Sequence, residues 1–188
     1  MRKITAGLFI AVDGVVEDPQ DWQLPYFDDD MGAAVGAQLG SADTLLLGRK
    51  TYDSFAGAWP VREAAGGEDA PFAAQLGDVR KIVVTRQDLE FHWRNSEVIG
   101  GELIEAVTAL KSGPGGDIAM SGSGSVVRQL LAAGLLDELH LFVHPIAVGK
   151  GERLFEDGGP TLPLRLLSSQ AFGSGALNLI YTRDGSAV

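Results

Sequence analysis

The sequence predicts an α/β fold of three layers: helices on both faces of a mostly parallel central sheet, with antiparallel strands at its C-terminal edge. Three observations carry this. Short apolar runs alternate with helix-period segments from residue 4 to residue 133. After Gly134 the helical period stops and only strand-like runs follow. The last two of those runs flank Gly173-Ser174-Gly175, the signature of a hairpin.

The elements follow in order. Ile4–Val12 is an uninterrupted apolar run closed by Asp13-Gly14, which suits a strand covered on both faces. Pro19–Pro25 reads as a loop around Trp22. From Phe27, the spacing of Met31, Val35 and Leu39 predicts a helix ending near Gly40. Thr44–Leu47 is a second buried strand. Gly48 ends it, and Lys50–Phe55 reads as a short helix. Pro60–Pro71, rich in Gly, Ala and charge, reads as a surface loop, with one helical turn at Phe72–Leu76. Strands are expected at Lys81–Thr85, Glu97–Ile99 and Asp117–Met120, with a helix at Glu102–Lys111 between the last two. Ser121–Ser125 leads into a helix at Val126–Ala133, for which Gly134 is a fitting C-terminal cap. Glu138–Val148 is a long strand interrupted at Pro145. Leu164–Phe172 and Ala176–Thr182 form the closing hairpin. No linker or internal repeat is visible, so residues 1–188 read as a single domain.

Composition narrows the function classes. A chain of 188 residues buries roughly 70% of its unfolded surface and needs no covalent staple. It has no cysteine, which excludes disulfides, zinc–thiolate sites, iron–sulfur clusters and a thiol nucleophile. Acidic residues outnumber basic ones 25 to 15, for a net charge of −10. That charge disfavours nucleic acid and anionic membrane as partners, yet allows a small anion in a local basic pocket. No run approaches the roughly 18 apolar residues of a membrane span. The short apolar run after Met1-Arg2-Lys3 does not read as a targeting segment, so a cytoplasmic location is expected.

Chemistry is expected at three strand–helix junctions. Ser121-Gly122-Ser123-Gly124-Ser125 joins a strand to a helix. It reads either as a tight turn or as a cradle where backbone and helix N–H groups meet phosphate. Val127 stands where a full G-x-G-x-x-G fingerprint has its third glycine. Gly48-Arg49-Lys50-Thr51 offers two cations and a hydroxyl at a helix start, where a base opposes the helix dipole unless an anion is present. Thr85-Arg86 closes the third strand. Open α/β sheets bind ligands beyond the carboxyl ends of their strands, so cations gathered there in an acidic protein point to a polyphosphate.

Other constellations fail. No Walker A pattern or G-x-S-x-G elbow is present. His140 and His144 fall in a predicted strand, where four residues span about 13 Å, too far for one metal ion. They read as strand or interface histidines, and no metal is expected. Asp28-Asp29-Asp30 precedes the first helix and reads as a cap, or as a source of one carboxylate for a pocket. Trp22, Tyr26, Phe55 and Trp59 read as core or loop anchors, or as surfaces on which a flat ring stacks.

Taken together, these residues resemble a known family. Leu45-Leu46-Leu47-Gly48-Arg49-Lys50-Thr51-Tyr52 resembles the strand–turn–helix signature of dihydrofolate reductases. Ile10-Ala11-Val12-Asp13-Gly14, Ile82-Val83-Val84-Thr85-Arg86, Ser121–Ser125 and Leu135–Leu141 resemble further segments of that group, in the same order. The stretch through Pro145, Gly149, Gly151 and Phe155 resembles the reductase domain of bifunctional riboflavin-biosynthesis proteins more closely still.

The resemblance implies a dihydrofolate-reductase-like fold and NADPH as cofactor. It places Arg49, Thr51, Thr85 and Arg86 near the adenosine 2′-phosphate or its neighbours, with Gly48 and Lys50 in the same turn. It places Gly122, Ser123, Gly124, Ser125 and Val126 at the pyrophosphate, and Ala11 with Val12 near the nicotinamide. Asp28 and Asp30 are the candidates for the acidic residue that the family uses on its substrate. The first helix carries no arginine for a folate carboxylate, so dihydrofolate itself is not the expected substrate. A ribityl or ribosyl phosphate substrate would need further cations, for which Arg62 and Arg153 are candidates. The expected function is NADPH-dependent hydride transfer to a C=N or C=O of a small pterin-, pyrimidine- or flavin-precursor-like heterocycle. The alternative is a pyridine-nucleotide-binding protein with little or no catalysis. The apolar strand Leu139–Val148, read as lying near a sheet edge, predicts a homodimer.

Overall fold

A computed structural model describes residues 1–185. Its centre is one eight-stranded sheet. The strands are β1 (Ile4–Ala11), β2 (Ala42–Gly48), β3 (Arg80–Val84), β4 (Ser96–Val98), β5 (Asp117–Met120), β6 (Glu138–His144), β7 (Leu164–Ala171) and β8 (Leu177–Arg183). Their order is β4-β3-β2-β5-β1-β6-β8-β7. The first six in sequence run parallel, while β8 and β7 are antiparallel additions. The three-layer reading therefore holds. The helices are α1 (Asp29–Gly40), α2 (Arg49–Ala65), α3 (Ala70–Asp78), α4 (Leu103–Ser112) and α5 (Gly124–Ala132).

The two sheet faces build two cores. Successive residues of a strand point to opposite faces. Ile4, Ala6, Leu8 and Ile10 of β1, with Ile118 and Met120 of β5, pack against Val107 of α4 and Val126, Val127, Leu130 and Leu131 of α5. Leu45 and Leu47 of β2 and Val83 of β3 face the other way, onto Leu39 of α1, Tyr52 of α2 and Leu76 of α3. Each fully buried Val, Leu, Ile or Met side chain among them stabilises by about 1.5–3 kcal/mol. Gln38 of α1 is also buried, its amide donating to Thr5 Oγ1 at 3.1 Å. Gly7 makes room for it, since a Cβ there would lie 2.8 Å from Gln38 Oε1.

The cap at Gly134 forms as read. Leu135 N–H donates to Leu130 O at 2.9 Å, Gly134 N–H donates to Leu131 O at 3.1 Å, and Gly134 takes φ +70°.

Three expectations are corrected. The segment from Pro60 is not loop throughout: α2 continues through Pro60 to Ala65, and α3 occupies Ala70–Asp78. A proline inside a helix deletes one hydrogen bond. Tertiary contacts hold the turns beyond it: Trp59 meets the Phe72 ring edge-on at 5.3 Å, and Arg94 grips Glu63 at 2.7 Å. Second, β6 stops at His144, because Pro145 has no N–H for the ladder. Third, β6 is interior, between β1 and β8, and the sheet edges are β4 and β7.

Lys81 of β3 is fully buried. Its ammonium donates to the carbonyls of Leu76, Gly77 and Val79 at 2.7, 2.8 and 2.7 Å and lies 4.2 Å from the centre of the Trp93 ring. It closes the C-terminal end of α3, where carbonyls lack helical partners.

Candidate functional site

The carboxyl ends of the six parallel strands share one rim of the sheet, because parallel strands place all their C-termini together. Since β2 and β5 are neighbours, the two Gly-bearing junctions touch. Gly48 N–H reaches Gly122 O at 3.5 Å. A Cβ at Gly48 would lie 2.8 Å from Ser123 Cβ, and one at Gly122 would lie 2.8 Å from Thr51 Oγ1. Gly122 takes φ +115°, a region that favours glycine, and its bond to Ser123 is cis. The result is a tightly packed floor, in which the Ser123 and Thr51 side chains fill the space against the two glycines. The starts of α2 and α5 flank this floor, and the first N–H groups of each lack intrahelical acceptors.

The cations stand on one side of it. Arg49 donates to Asp53 at 2.7 Å and to Gln87 Oε1 at 3.0 Å, so it is already oriented across the β3 end. Lys50 and Arg86 are exposed and make no ion pair among the described residues. Thr85 Oγ1 accepts from Gln87 N–H at 3.1 Å, which shapes the turn that presents Arg86. Ser123 Oγ and Ser125 Oγ lie 3.1 Å apart at the start of α5. Val126 has its side chain in the core, and its N–H donates to Ser123 O at 3.1 Å.

The third wall comes from the segments after β1 and β6. Ala11 is buried and Val12 exposed at the end of β1. Asp13 accepts from Gly149 N–H at 2.7 Å, Leu154 N–H donates to Gly14 O at 2.9 Å, and Val15 bridges to Arg153. The Gly149 N–H foremost holds the Asp13 carboxyl below the usual range. Arg153 spends its Nε on Asp13 O at 2.9 Å, and Arg62 lies over the Trp59 ring at 4.9 Å. Arg128 of α5 clasps the same wall through Glu152 at 3.3 Å, the carbonyls of Arg153 and Leu154, and Glu156. Sequence reading missed this clasp, because its partners lie 24 to 28 residues away along the chain.

The carboxylates at the start of α1 part company. Asp28 caps the helix: Oδ1 accepts from Met31 N–H at 2.9 Å and Oδ2 from Ser174 N–H at 3.0 Å. Met31 foremost, with Ser174, keeps its carboxyl below the usual range, which favours the ionised form. Asp30, exposed in the first turn, accepts no hydrogen bond among the described residues.

Beside α1, His144 ends β6 fully buried. Its Nδ1 lies 2.8 Å from Phe142 O, while Nε2 has no partner. The rings of Trp22, Phe9 and Tyr26 surround it, with centroids at 5.3, 5.4 and 6.0 Å. Both histidines do lie in a strand; His140 pairs with Glu138 at 3.2 Å. The buried Nε2 had no signal in the sequence, since only the packing of Trp22 and Tyr26 creates it. Phe55 and Trp59, in contrast, serve the contact between α2 and α3. No cluster of His, Asp or Glu among the described residues can hold a metal ion, and no described helix is long and apolar enough to cross a membrane.

Whether a dinucleotide phosphate fits can be read from this rim. Gly48 and Gly122 let the two junctions pack closely against Ser123 and Thr51, two helix starts flank the contact, and Arg49, Lys50 and Arg86 stand at the same strand ends. The residues present fit the group. A shallow depression lined by Asp78, Arg80, Asn95, Ser96 and Glu97 lies at the amino ends of β3 and β4, away from this rim.

Comparison with known proteins agrees with this architecture. Residues 2–178 match the family model described as the RibD C-terminal domain. YyaP, an uncharacterized protein of Bacillus subtilis strain 168, is 29% identical over 193 residues, covering 98% of this chain and 96% of its own. YwjB, a second uncharacterized protein of that strain, is 28% identical over 186 residues, covering 97% and 98%. A solved structure of a candidate riboflavin biosynthesis protein from Shewanella sp. PV-4 superposes with a TM-score of 0.74 at 19% identity, covering 98% of this chain and 99% of the other. A pyrimidine reductase-like protein from Corynebacterium diphtheriae superposes with a TM-score of 0.66 at 18% identity, covering 97% and 92%. The chain belongs to the RibD C-terminal domain family, whose reductase-type relatives share its fold.

Proposed function

We propose that this member of the RibD C-terminal domain family is an NADPH-dependent reductase that reduces a C=N or C=O bond in a small heterocycle. The observation that carries the reading is the meeting of two helix starts over closely packed glycine junctions, with three cations at the same strand ends in a protein of net charge −10. Phosphate is the group that such an arrangement suits. Gly122, Ser123, Gly124 and Ser125 would hold the pyrophosphate, and Arg49, Lys50, Thr51, Thr85 and Arg86 the adenosine end with its 2′-phosphate. Ala11 and Val12, at the central strand β1, would border the nicotinamide.

NADPH, when bound, supplies the hydride. The chain's own part is placement and exclusion of water. The paired loops after β1 and β6 wall the rim on one side, and the clasp of Arg128 keeps that wall in place. Asp28, committed to its cap, anchors the start of α1 against the turn before β8. Asp30 keeps its carboxylate free to meet a substrate. Calorimetric titration with NADPH and NADH tests the reading. Tight NADPH and weak NADH binding are expected, and binding of neither refutes it. NADPH binding without turnover on pterins, flavin precursors or quinones would favour a nucleotide-binding protein with little catalysis.

A homodimer is also proposed, with its seat moved to β7. Residues 165–171 of this outer strand are exposed, Leu166 and Leu167 among them, and its free edge suits a second copy. Light scattering that gives the mass of one chain at micromolar concentration refutes it.

A further inference from the structure

His144 presents an acceptor with nothing to accept from. Its Nδ1 lies 2.8 Å from Phe142 O, so Nδ1 carries the hydrogen and donates, which leaves Nε2 as a bare lone pair. The residue is 0% exposed and Nε2 has no hydrogen-bond partner among the described residues. Such a group is costly to bury and calls for an explanation. Burial also lowers the His144 pKa, which keeps the ring neutral.

Two of the three rings around His144 come from a single segment. Trp22 and Tyr26 belong to two one-turn helices, Pro19–Asp21 and Leu24–Tyr26. Among the described residues, the hydrogen bonds of residues 18–27 stay local: Asp21 to Asp18, Trp22 and Gln23 to Pro19, Tyr26 to Gln23, Phe27 to Leu24, Gln20 to Asp18, and the Trp22 indole to Glu17 O. The segment can lift from His144 without breaking a hydrogen bond to the body of the protein. Gln23 Oε1, on the same segment, is a second buried acceptor with no partner.

The surroundings set the chemistry of the visitor. They are aromatic: Phe9, Trp22 and Tyr26 stand edge-on or nearly so to the imidazole. No lysine or arginine stacks on any of these rings among the described residues. A phosphate ester would be desolvated there without a counter-ion. His144 pairs in register with Ala11, so the site adjoins the rim at β1.

We infer that His144 Nε2 accepts a hydrogen bond from a ring N–H of an uncharged, flat heterocycle, which enters between Trp22, Tyr26 and Phe9 when residues 18–27 lift. This rests on the reductase reading and narrows it: the substrate class is a lactam- or amidine-type ring rather than a ribityl phosphate.

Two probes separate the acceptor from mere ring stacking. Lumazine carries ring N–H donors. 1,3-Dimethyllumazine has the same ring with both pyrimidine N–H groups replaced. With the NADPH-saturated protein, lumazine is expected to bind at least about tenfold more tightly, the value of one buried hydrogen bond. It should also shift the 15N resonance of His144 Nε2, which the dimethyl compound leaves in place. His144→Phe should erase the preference and leave NADPH affinity unchanged, which also reports that the variant folds. Equal affinity for the two probes overturns the inference. So does an Nε2 resonance that lumazine does not move, a preference that survives in His144→Phe, or no binding of lumazine. If NADPH itself fails to bind, the same comparison on the protein alone decides this inference, and the calorimetry decides the reductase reading separately.

Discussion

Gly48→Ala is the sharpest probe of the rim. The added Cβ would lie 2.8 Å from Ser123 Cβ and 3.1 Å from Ser123 N. Carbon atoms rest at about 3.5–4.0 Å, so the two loops must separate by about 1 Å. The obstacle includes backbone at the start of α5, which α5 buries through Val126 and Val127 and which cannot swing away as a free side chain would. Overpacking of this kind costs about 1–3 kcal/mol. For a chain of this size that lowers Tm by roughly 2–12 °C. The same displacement spoils the phosphate floor, so NADPH affinity should fall at least about tenfold, since misplacement of about 1 Å is costly at such sites. Gly57→Ala in α2 is the control. Nothing lies within 4 Å of its Cβ, and an alanine in mid-helix adds about 0.5–1 kcal/mol. Thermal melts and calorimetry of both variants decide the matter. A Gly48→Ala protein with unchanged Tm and unchanged NADPH affinity refutes the reasoning.

Arg86 carries no ion pair among the described residues, while Arg49 is shared with Asp53 and Gln87. Arg86→Ala should therefore weaken NADPH about tenfold or more and NADH barely, with a smaller effect from Arg49→Ala; calorimetry with both nucleotides checks this. Burial, reinforced by the charge of Arg94, draws the Lys81 pKa from 10.5 down to about 8. Between these values the unfolded chain holds more protons than the folded one, so the contribution of this group to stability rises with pH, by up to about 1.4 kcal/mol per unit. Urea melts across that range should show the rise in wild type and a flatter curve in Lys81→Met. Asp28→Ala should lower Tm by removing a helix cap and the link to Ser174, and Asp28→Asn should recover part of the loss. Retention of the full wild-type Tm in Asp28→Ala would refute the capping role.

Much of the fold was legible because periodicity and punctuation are local. The end of β2 at Gly48, the cap at Gly134 and the hairpin at Gly173–Gly175 all follow from residues within a few positions. The extension of α2 past Pro60 was not legible, because the contacts that hold it come from Phe72 and Arg94. For the same reason β6 reads as an edge strand until the sheet order shows β8 beside it.

The site divides along the same line. By itself the sequence determined which residues stand at the strand ends, since glycine, hydroxyl and cation follow each apolar run directly. Which of them meet is set by how the whole chain packs. The insertion of β5 between β1 and β2 presses Gly48 against Ser123 and Thr51 against Gly122. The folding of α1 and its preceding turns over β6 commits Asp28 to a cap and seals His144 under Trp22 and Tyr26. Local preference sets each element, but a cleft is made of surfaces from distant parts of the chain, and their approach is set by packing in three dimensions.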